Sequence, residues 1–391
     1  MNLKELITRG ESSDSLIKEA RKAALRQTAS CLPEFSEDFK SIYSVRNFYE
    51  KADNIYWTNG FWTGELWLTY EETKDEKYKD AAVSQVKSFK KRIEEGINTD
   101  THDLGSLYSL SCVAAYKLTG KDEYKNIALK AADKLASRFH EKGKFIQAWG
   151  SLEESDNYRL IVDSLLNVPL LFWAAECSDQ PNRYAEIAKE HVKTTLSVVV
   201  RDDYSTYHTY YFDHNTGRPL RGETHQGYSA DSAWARGQAW AVYGSALAMK
   251  YAADPSYIDL FDHLLNYFIE HLDETLIPYW DLIFTAESNE PWDSSASAIV
   301  ICGLLEMAKY VPEEKAAEYK KIARILLKPL ITRCAAQDPE KSNGQLMHGV
   351  YGKKTPYNDC IDHGIDECNL WGDYFYVEAL TRLDADWDPY W

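Results

Sequence analysis

Two kinds of helical pattern alternate along the chain. Over 104–118, apolar or small side chains run around most of the helix circumference and Lys117 is the one charge, as in a helix buried on nearly all sides. The run that follows is one-faced. Tyr124, Ile127, Ala131, Leu135 and Phe139 recur at spacings of three and four, and Lys125, Lys130, Asp133 and Lys134 fill other positions. The same contrast separates 163–176 from 184–199, 234–251 from 257–272, and 294–310 from 319–331. Inner and outer helices therefore alternate.

Nearly the same phrase stands at each boundary: Glu72-Thr-Lys-Asp-Glu-Lys-Tyr78, Leu118-Thr-Gly-Lys-Asp-Glu-Tyr124, Cys177-Ser-Asp-Gln-Pro-Asn-Arg-Tyr184, Ala252-Ala-Asp-Pro-Ser-Tyr257 and Pro312-Glu-Glu-Lys-Ala-Ala-Glu-Tyr319. An inner run precedes each phrase and an outer run follows it, so the phrase marks the turn of a helical hairpin. With a first helix near 13–27 and a last inner one near 371–383, the pattern predicts roughly twelve helices in about six pairs. Six pairs with buried inner members can close into a ring, which removes the ends that an open solenoid must cap. The expected fold is all-α, an (α/α)6 barrel of six helical hairpins, formed as a single domain over residues 1–391. An open superhelix is the competing packing, but its repeats run at a regular period, whereas these pairs are separated by irregular insertions. The insertions at 141–159, 200–232, 273–293 and 336–369 all precede inner helices and are expected to gather at one mouth of the barrel.

Charge and cysteine usage narrow the partners. A formal net charge of −17 disfavours nucleic acid and anionic membranes, both of which require a basic face. No apolar run approaches a membrane span, and the first residues resemble no signal-peptide core. Seven cysteines, an odd number without zinc-like spacing, read as reduced thiols in the cytoplasm. No metal and no cofactor are implied: there is no H-E-x-x-H, and Asp359, Asp362, His363, Asp366 and Glu367 lack calcium-loop spacing and read as a solvated loop. The oligomeric state stays open between monomer and homodimer.

The candidate chemistry starts from aromatic and acidic residues. The chain holds 27 Tyr and 12 Trp, and aromatic faces pack against the apolar faces of sugar rings. Trp57, Trp62, Trp67, Trp149, Trp234, Trp240 and Trp371 stand near inner-helix starts, with core packing as the alternative for each. Asp103, in Thr-His-Asp-Leu-Gly-Ser, and Asp163, among Leu160, Ile161, Val162, Leu165 and Leu166, each open an inner helix where polar residues are scarce. A helix cap is the alternative reading for Asp103. Neighbouring inner helices bring the two carboxyls to one mouth, where desolvation and like charge raise one pKa toward that of a general acid. That is a glycosidase-type arrangement.

Seven motifs in order carry a resemblance. Asn59-Gly-Phe-Trp-Thr-Gly-Glu-Leu-Trp67, His102-Asp-Leu-Gly-Ser-Leu-Tyr-Ser109, Tyr207-His-Thr-Tyr-Tyr-Phe-Asp213, Thr224-His-Gln-Gly227, Ala235-Arg-Gly-Gln-Ala-Trp240, Asp293-Ser-Ser-Ala-Ser-Ala298 and Leu370-Trp-Gly-Asp-Tyr-Phe-Tyr376 resemble the unsaturated glucuronyl hydrolases of glycoside hydrolase family 88. The resemblance implies the same barrel and a reaction on the 4,5-unsaturated uronate that polysaccharide lyases leave at a chain end. It implies Asp163 as the acid that protonates C4 and then the base that activates water toward C5, with Asp103 stabilising the charge that develops. It also implies that His208, Gln226 and Arg236 surround the uronate, with Arg236 as its carboxylate partner through a bidentate fork. Trp57, Trp149 and Trp240 would shape the sugar slot, His102 would stand beside Asp103, and Tyr351 would complete the binding set.

The segment Met347 to Gly364 departs from the family pattern. Relatives that favour sulfated glycosaminoglycans carry a Ser and Lys pattern there that this chain lacks; Lys353 and Lys354 suit a sulfate, whereas Asp359 and Asp362 repel one. The expected substrate is a glycosaminoglycan-type unsaturated disaccharide. The alternatives are an unsaturated rhamnogalacturonyl hydrolase acting on pectin fragments, a histidine-based sugar epimerase on the same barrel, and a sugar-binding or regulatory protein lacking one of the aspartates.

Overall fold

The computed structural model describes residues 1–391 and shows the expected (α/α)6 barrel. The inner ring is built from Asn59–Thr73, Leu104–Thr119, Pro169–Cys177, Ala235–Ala252, Ser294–Met307 and Leu370–Asp384. The outer ring is Asp14–Phe35, Glu76–Glu94, Asp122–Ala136, Pro181–Val199, Ser256–Glu270 and Glu313–Pro329. Ser294–Met307 is buried along its whole length, whereas Ser256–Glu270 buries one stripe, Phe261, Leu264, Leu265, Phe268 and Ile269. The boundary phrases are the hairpin turns. Lys74, Gly120 and Ala253 end three inner helices in the left-handed conformation that stops helical hydrogen bonding. The ring closes between first and last inner helices, where Phe61 and Tyr374 stand 5.7 Å apart and a Cβ on Gly64 would lie 2.7 Å from the Tyr374 ring.

Two inner helices differ from the simple expectation. Leu104–Thr119 is interrupted by a wide π turn at Ser109–Val113, a local distortion that often accompanies functional sites. The helix expected from Asp163 onward begins instead at Pro169, and Asp163 lies in a separate 3-10 turn, Val162–Leu166. Pro169 donates no backbone N–H and its ring blocks a preceding α-turn, so the α-helix can only start there.

The insertions gather at one mouth, and they are not bare loops. Arg159–Ile161, Thr209–Phe212 and Pro219–Glu223 form a three-stranded antiparallel sheet with Thr209–Phe212 in the middle, and Gly349–Gly352 pairs with His363–Glu367. The opposite end is plugged. Trp391 is buried there, its ring stacks on Phe375 at 5.7 Å, and its indole donates to Glu378 at 2.8 Å. Arg382 binds Glu306 at 2.6 Å and Glu378 at 2.8 Å beside it. No helix is long and apolar enough to cross a membrane.

The second and third inner segments meet through backbone. A Cβ at Gly105 would fall 2.0 Å from the Asn167 carbonyl oxygen and 2.3 Å from its Cα, and Ser106 N–H donates to Asn167 Oδ1 at 2.8 Å. Gly105→Ala should therefore force the two segments apart and lower stability by more than the ~1–3 kcal/mol typical of core overpacking, since backbone rather than a side chain must move. Chemical denaturation of the variant checks this; stability equal to wild type would contradict the contact.

Candidate active site

The closed Gly105 contact brings Asp103 and Asp163 to one point. Asp103 precedes the second inner helix, yet its side chain makes no cap hydrogen bond; Oδ2 instead accepts from Thr101 Oγ1 at 2.6 Å. That disposes of the helix-cap reading. Asp163 follows the strand Arg159–Ile161 and turns inward, and its buried Oδ1 has no hydrogen-bond partner. His102, 1% exposed, places Nε2 3.5 Å from Asp103 Oδ1 and 3.5 Å from Asp163 Oδ1.

These surroundings set the Asp163 proton. Burial pushes its carboxyl up to about 6, the Asp103 charge adds to the rise, and His102 and Arg236 oppose it. A carboxyl in that range keeps a fraction of its population protonated near neutral pH and can act as both acid and base. Ligand atoms of His102, Asp103 and Asp163 lie within 4.8 Å of one another.

Around the acids runs a cavity of about 210 Å3, and all ten residues singled out in the sequence line it. His208 is buried and its Nδ1 accepts the backbone N–H groups of His225 at 3.0 Å and Gln226 at 3.1 Å. Its one proton must then sit on Nε2, and burial holds its pKa well below the usual histidine range, leaving a neutral donor. Gln226 Nε2 donates to the Tyr351 carbonyl at 2.9 Å, and the Trp57 indole donates to the Tyr351 hydroxyl at 3.2 Å. Trp57 also stacks on Trp371 at 5.1 Å. Trp149 carries the Arg159 guanidinium over its ring at 4.4 Å, and Trp240 packs against Phe375 at 5.5 Å. Trp62, Trp67 and Trp371 are fully buried core residues, so the core reading holds for those three.

Four further residues line the cavity, Ile161, His225, Trp234 and His363, and of these the sequence offers only Trp234 as an aromatic suited to a sugar face. His363, expected in a solvated loop, is half-buried instead, edge-on to Tyr351 at 4.3 Å with Nδ1 2.6 Å from the Ile361 carbonyl. Its signal was faint, because strand pairing of His363–Glu367 with Gly349–Gly352, not local sequence, brings it to the mouth.

Arg236 is neither a surface ion pair nor an unengaged fork. It is 1% exposed, lies between the Trp234 and Trp371 rings at 4.3 and 4.5 Å, and binds Asp293 Oδ2 at 2.8 Å through Nη1. Nη1 also donates to the Val350 carbonyl and Nη2 to that of Tyr351 at 3.0 Å. Its charge is thus already matched inside the protein, and a uronate carboxylate would meet it as a second anion. Asp293 in turn caps the fifth inner helix through Ser295 N–H at 3.2 Å. Arg236→Ala should leave the Asp293 carboxylate buried and unpaired, at about 3–5 kcal/mol of stability, while Arg236→Ala/Asp293→Ala should unfold closer to wild type. Denaturant unfolding of both decides it; a single variant as stable as wild type would contradict the pairing.

Comparison with known proteins agrees with this geometry. The Glycosyl Hydrolase Family 88 model matches residues 35–372. The chain is 45% identical over 389 residues to an unsaturated chondroitin disaccharide hydrolase of Streptococcus pneumoniae, covering 99% of this chain and 95% of the relative. It is 38% identical over 371 residues to an unsaturated glucuronyl hydrolase of Bacillus sp. strain GL1, covering 94% and 97%. The crystal structure of an unsaturated glucuronyl hydrolase from Streptococcus agalactiae superposes with a TM-score of 0.94 at 44% identity, covering 100% of this chain and 97% of that one. With two carboxyls at the barrel mouth and a family match over most of its length, this chain belongs to glycosyl hydrolase family 88.

Proposed function

We propose that this enzyme removes a terminal 4,5-unsaturated uronate from lyase-generated oligosaccharides by hydrating the double bond, with Asp163 as acid and base. The observation that carries the reading is the desolvated Asp163 carboxyl, its pKa pushed up to about 6 beside the Asp103 charge. Asp163 gives its proton to C4, the π electrons form the new C4–H bond, and positive charge develops on C5 and the ring oxygen. The Asp103 carboxylate stabilises that charge without reorganising, because Thr101 already holds it. Water then attacks C5 and returns a proton to Asp163. The C5 hemiketal opens with cleavage of the C5–O5 bond, leaving a C5 ketone and a C1 hemiacetal that expels the second sugar with its own oxygen.

The lining groups suit binding of the uronate. His208 offers a neutral Nε2–H donor, Gln226 and Arg236 hold the Tyr351 carbonyl, and Trp57, Trp149 and Trp240 wall the slot. A pocket of about 210 Å3 lies below the ~300–1,000 Å3 of drug-sized ligand sites, so it suits one sugar ring rather than a longer chain. Glycosaminoglycan-type disaccharides are the preferred class, supported by streptococcal relatives named for chondroitin disaccharides. A sulfate on the second sugar finds little here: Lys353 is bound to Glu290 at 3.1 Å, and Asp359 stands exposed on the same loop. All seven cysteines are free thiols, which supports a reducing, cytoplasmic setting, and all 391 residues serve one catalytic domain.

A panel of unsaturated disaccharides, followed at the ultraviolet band of the double bond, tests the reading. The chondroitin-derived substrate should lose its absorbance faster than a rhamnose-bearing pectin fragment, and a saturated aryl glucuronide should not turn over. Asp163→Asn should lower kcat by roughly two to four orders of magnitude, the usual worth of general acid–base catalysis. Turnover of the saturated glucuronide at a comparable rate would mean ordinary acetal hydrolysis instead.

A further inference from the structure

The turn that carries Asp163 lacks the hydrogen bonds of an α-helix. Val162–Leu166 is a 3-10 turn ahead of Pro169, and its backbone has few partners. Val162 N–H reaches the His208 carbonyl at 3.0 Å, and the Ser164 carbonyl accepts from Asn167 and Val168 at 3.0 and 2.9 Å. A carboxyl on such a turn is aimed by what packs around it. The fourth inner helix presses on it directly, since a Cβ at Gly244 would lie 2.5 Å from Leu165 Cβ. A polar hold comes from an outer helix.

That hold is His191, in Pro181–Val199, fully buried and outside the cavity lining. Its Nδ1 accepts the Ile146 N–H at 3.0 Å, and its Nε2 stands 2.9 Å from Oγ of Ser164, the residue that follows Asp163. Burial brings its pKa down to about 3, so the ring is neutral; with Nδ1 acting as acceptor, its one proton sits on Nε2 and is donated to Ser164. The other end of the ring matters equally. Ile146 lies two residues before Ala148, whose carbonyl accepts the His102 N–H at 2.6 Å, and Trp149 pairs with Thr101, which holds Asp103. One buried imidazole thus ties the Asp163 turn to the segment that fixes His102 and Asp103. An apolar residue would fill the same space without the desolvation that a buried imidazole costs.

We infer that His191 is a positioning residue for Asp163, acting through Ser164 from behind the cavity wall. It rests on the proposed function, which makes Asp163 the group to be aimed. The bond from the outer helix keeps the turn rotated so that the carboxyl stays in its desolvated place beside Asp103. Without that bond the turn relaxes and water reaches the carboxyl.

Ser164→Ala tests this by removing one oxygen, the acceptor of the His191 bond. On a chondroitin-type unsaturated disaccharide it should lower kcat roughly tenfold or more, because small misplacements of a reacting group are costly, while KM stays near the wild-type value. The pH profile adds a readout that does not depend on how much of the preparation is folded. Asp163 must be protonated to deliver its proton, so kcat/KM falls as pH rises through its pKa, near pH 6 in the wild type. In Ser164→Ala this limb should move to lower pH, since a carboxyl readmitted to water returns toward ordinary acidity; His102, Asp103 and Arg236, the charged and titratable groups that face it, are unaltered. His191→Leu should shift the limb the same way, and His191→Gln, whose amide can still donate to Ser164, should return it part of the way. A limb in Ser164→Ala that coincides with wild type, with kcat per folded enzyme unchanged, would overturn the inference whatever His191→Leu does to folding. A limb in His191→Gln displaced as far as in Ser164→Ala would overturn the part given to the His191 donor. A wild type that leaves unsaturated disaccharides intact would overturn the proposed reaction and this inference with it, whereas an active wild type with indifferent variants would sink the inference alone.

Discussion

The absence of a side chain at residue 105 sets the geometry of the whole site. Two inner segments can meet through their backbones only because Gly105 leaves room for Asn167, and that contact delivers Asp103 from one segment and Asp163 from the other to the same His102 nitrogen, 3.5 Å from each. Asn167 seals the junction from both sides, accepting from Ser106 N–H and donating to the Asp163 carbonyl at 3.3 Å. Without that approach the carboxyls would be two separate, solvated aspartates of ordinary acidity. With it, one carboxyl is desolvated next to the charge of the other, and its affinity for a proton rises. The raised proton affinity of Asp163 is therefore a product of packing.

Buried charge elsewhere in the barrel is arranged by a different rule. Arg236 with Asp293 near the mouth and Arg382 with Glu306 and Glu378 at the plugged end are fully internal pairs, each hydrogen-bonded on several sides. Burial of such pairs contributes little net stability over apolar packing, but breaking one is expensive, so their effect is to fix geometry. Arg236 shows what that geometry serves. It joins the fourth inner helix, the cap of the fifth and the strand Gly349–Gly352, and so fixes Tyr351, which the Trp57 indole also holds. A residue expected to hold substrate is thus a frame for the residues around it.

Much of this was legible in the sequence because helical periodicity is local. Inner and outer helices, hairpin turns and ring closure follow from which positions are apolar, and Ser294–Met307 or Asp122–Ala136 need no information from afar. Asp103 and Asp163 were visible as charges among apolar neighbours. What escaped was set by distant contacts. The strands at the mouth pair across insertions, as with Arg159 opposite Tyr211, and nothing within 359–367 announces that His363 turns inward while Asp359 reaches His225. The start of the third inner helix was misplaced because the apolar run continues through Asp163, whereas Pro169 decides where α-helical hydrogen bonding can begin. Arg236 lines the cavity, but its Asp293 partner stands at the cap of another helix.

The central claim is that the Asp163 pKa is raised to about 6 because the carboxyl is desolvated beside Asp103. Carbon NMR of the enzyme labelled at aspartate carboxyls, titrated from pH 3 to 8 and assigned with Asp163→Asn, measures this directly. The account predicts that the Asp163 carboxyl titrates near pH 6, and that in Asp103→Asn, where the like charge is gone, the midpoint moves to lower pH. A carboxyl at residue 163 that titrates near ~4, as an ordinary solvated aspartate does, would contradict it.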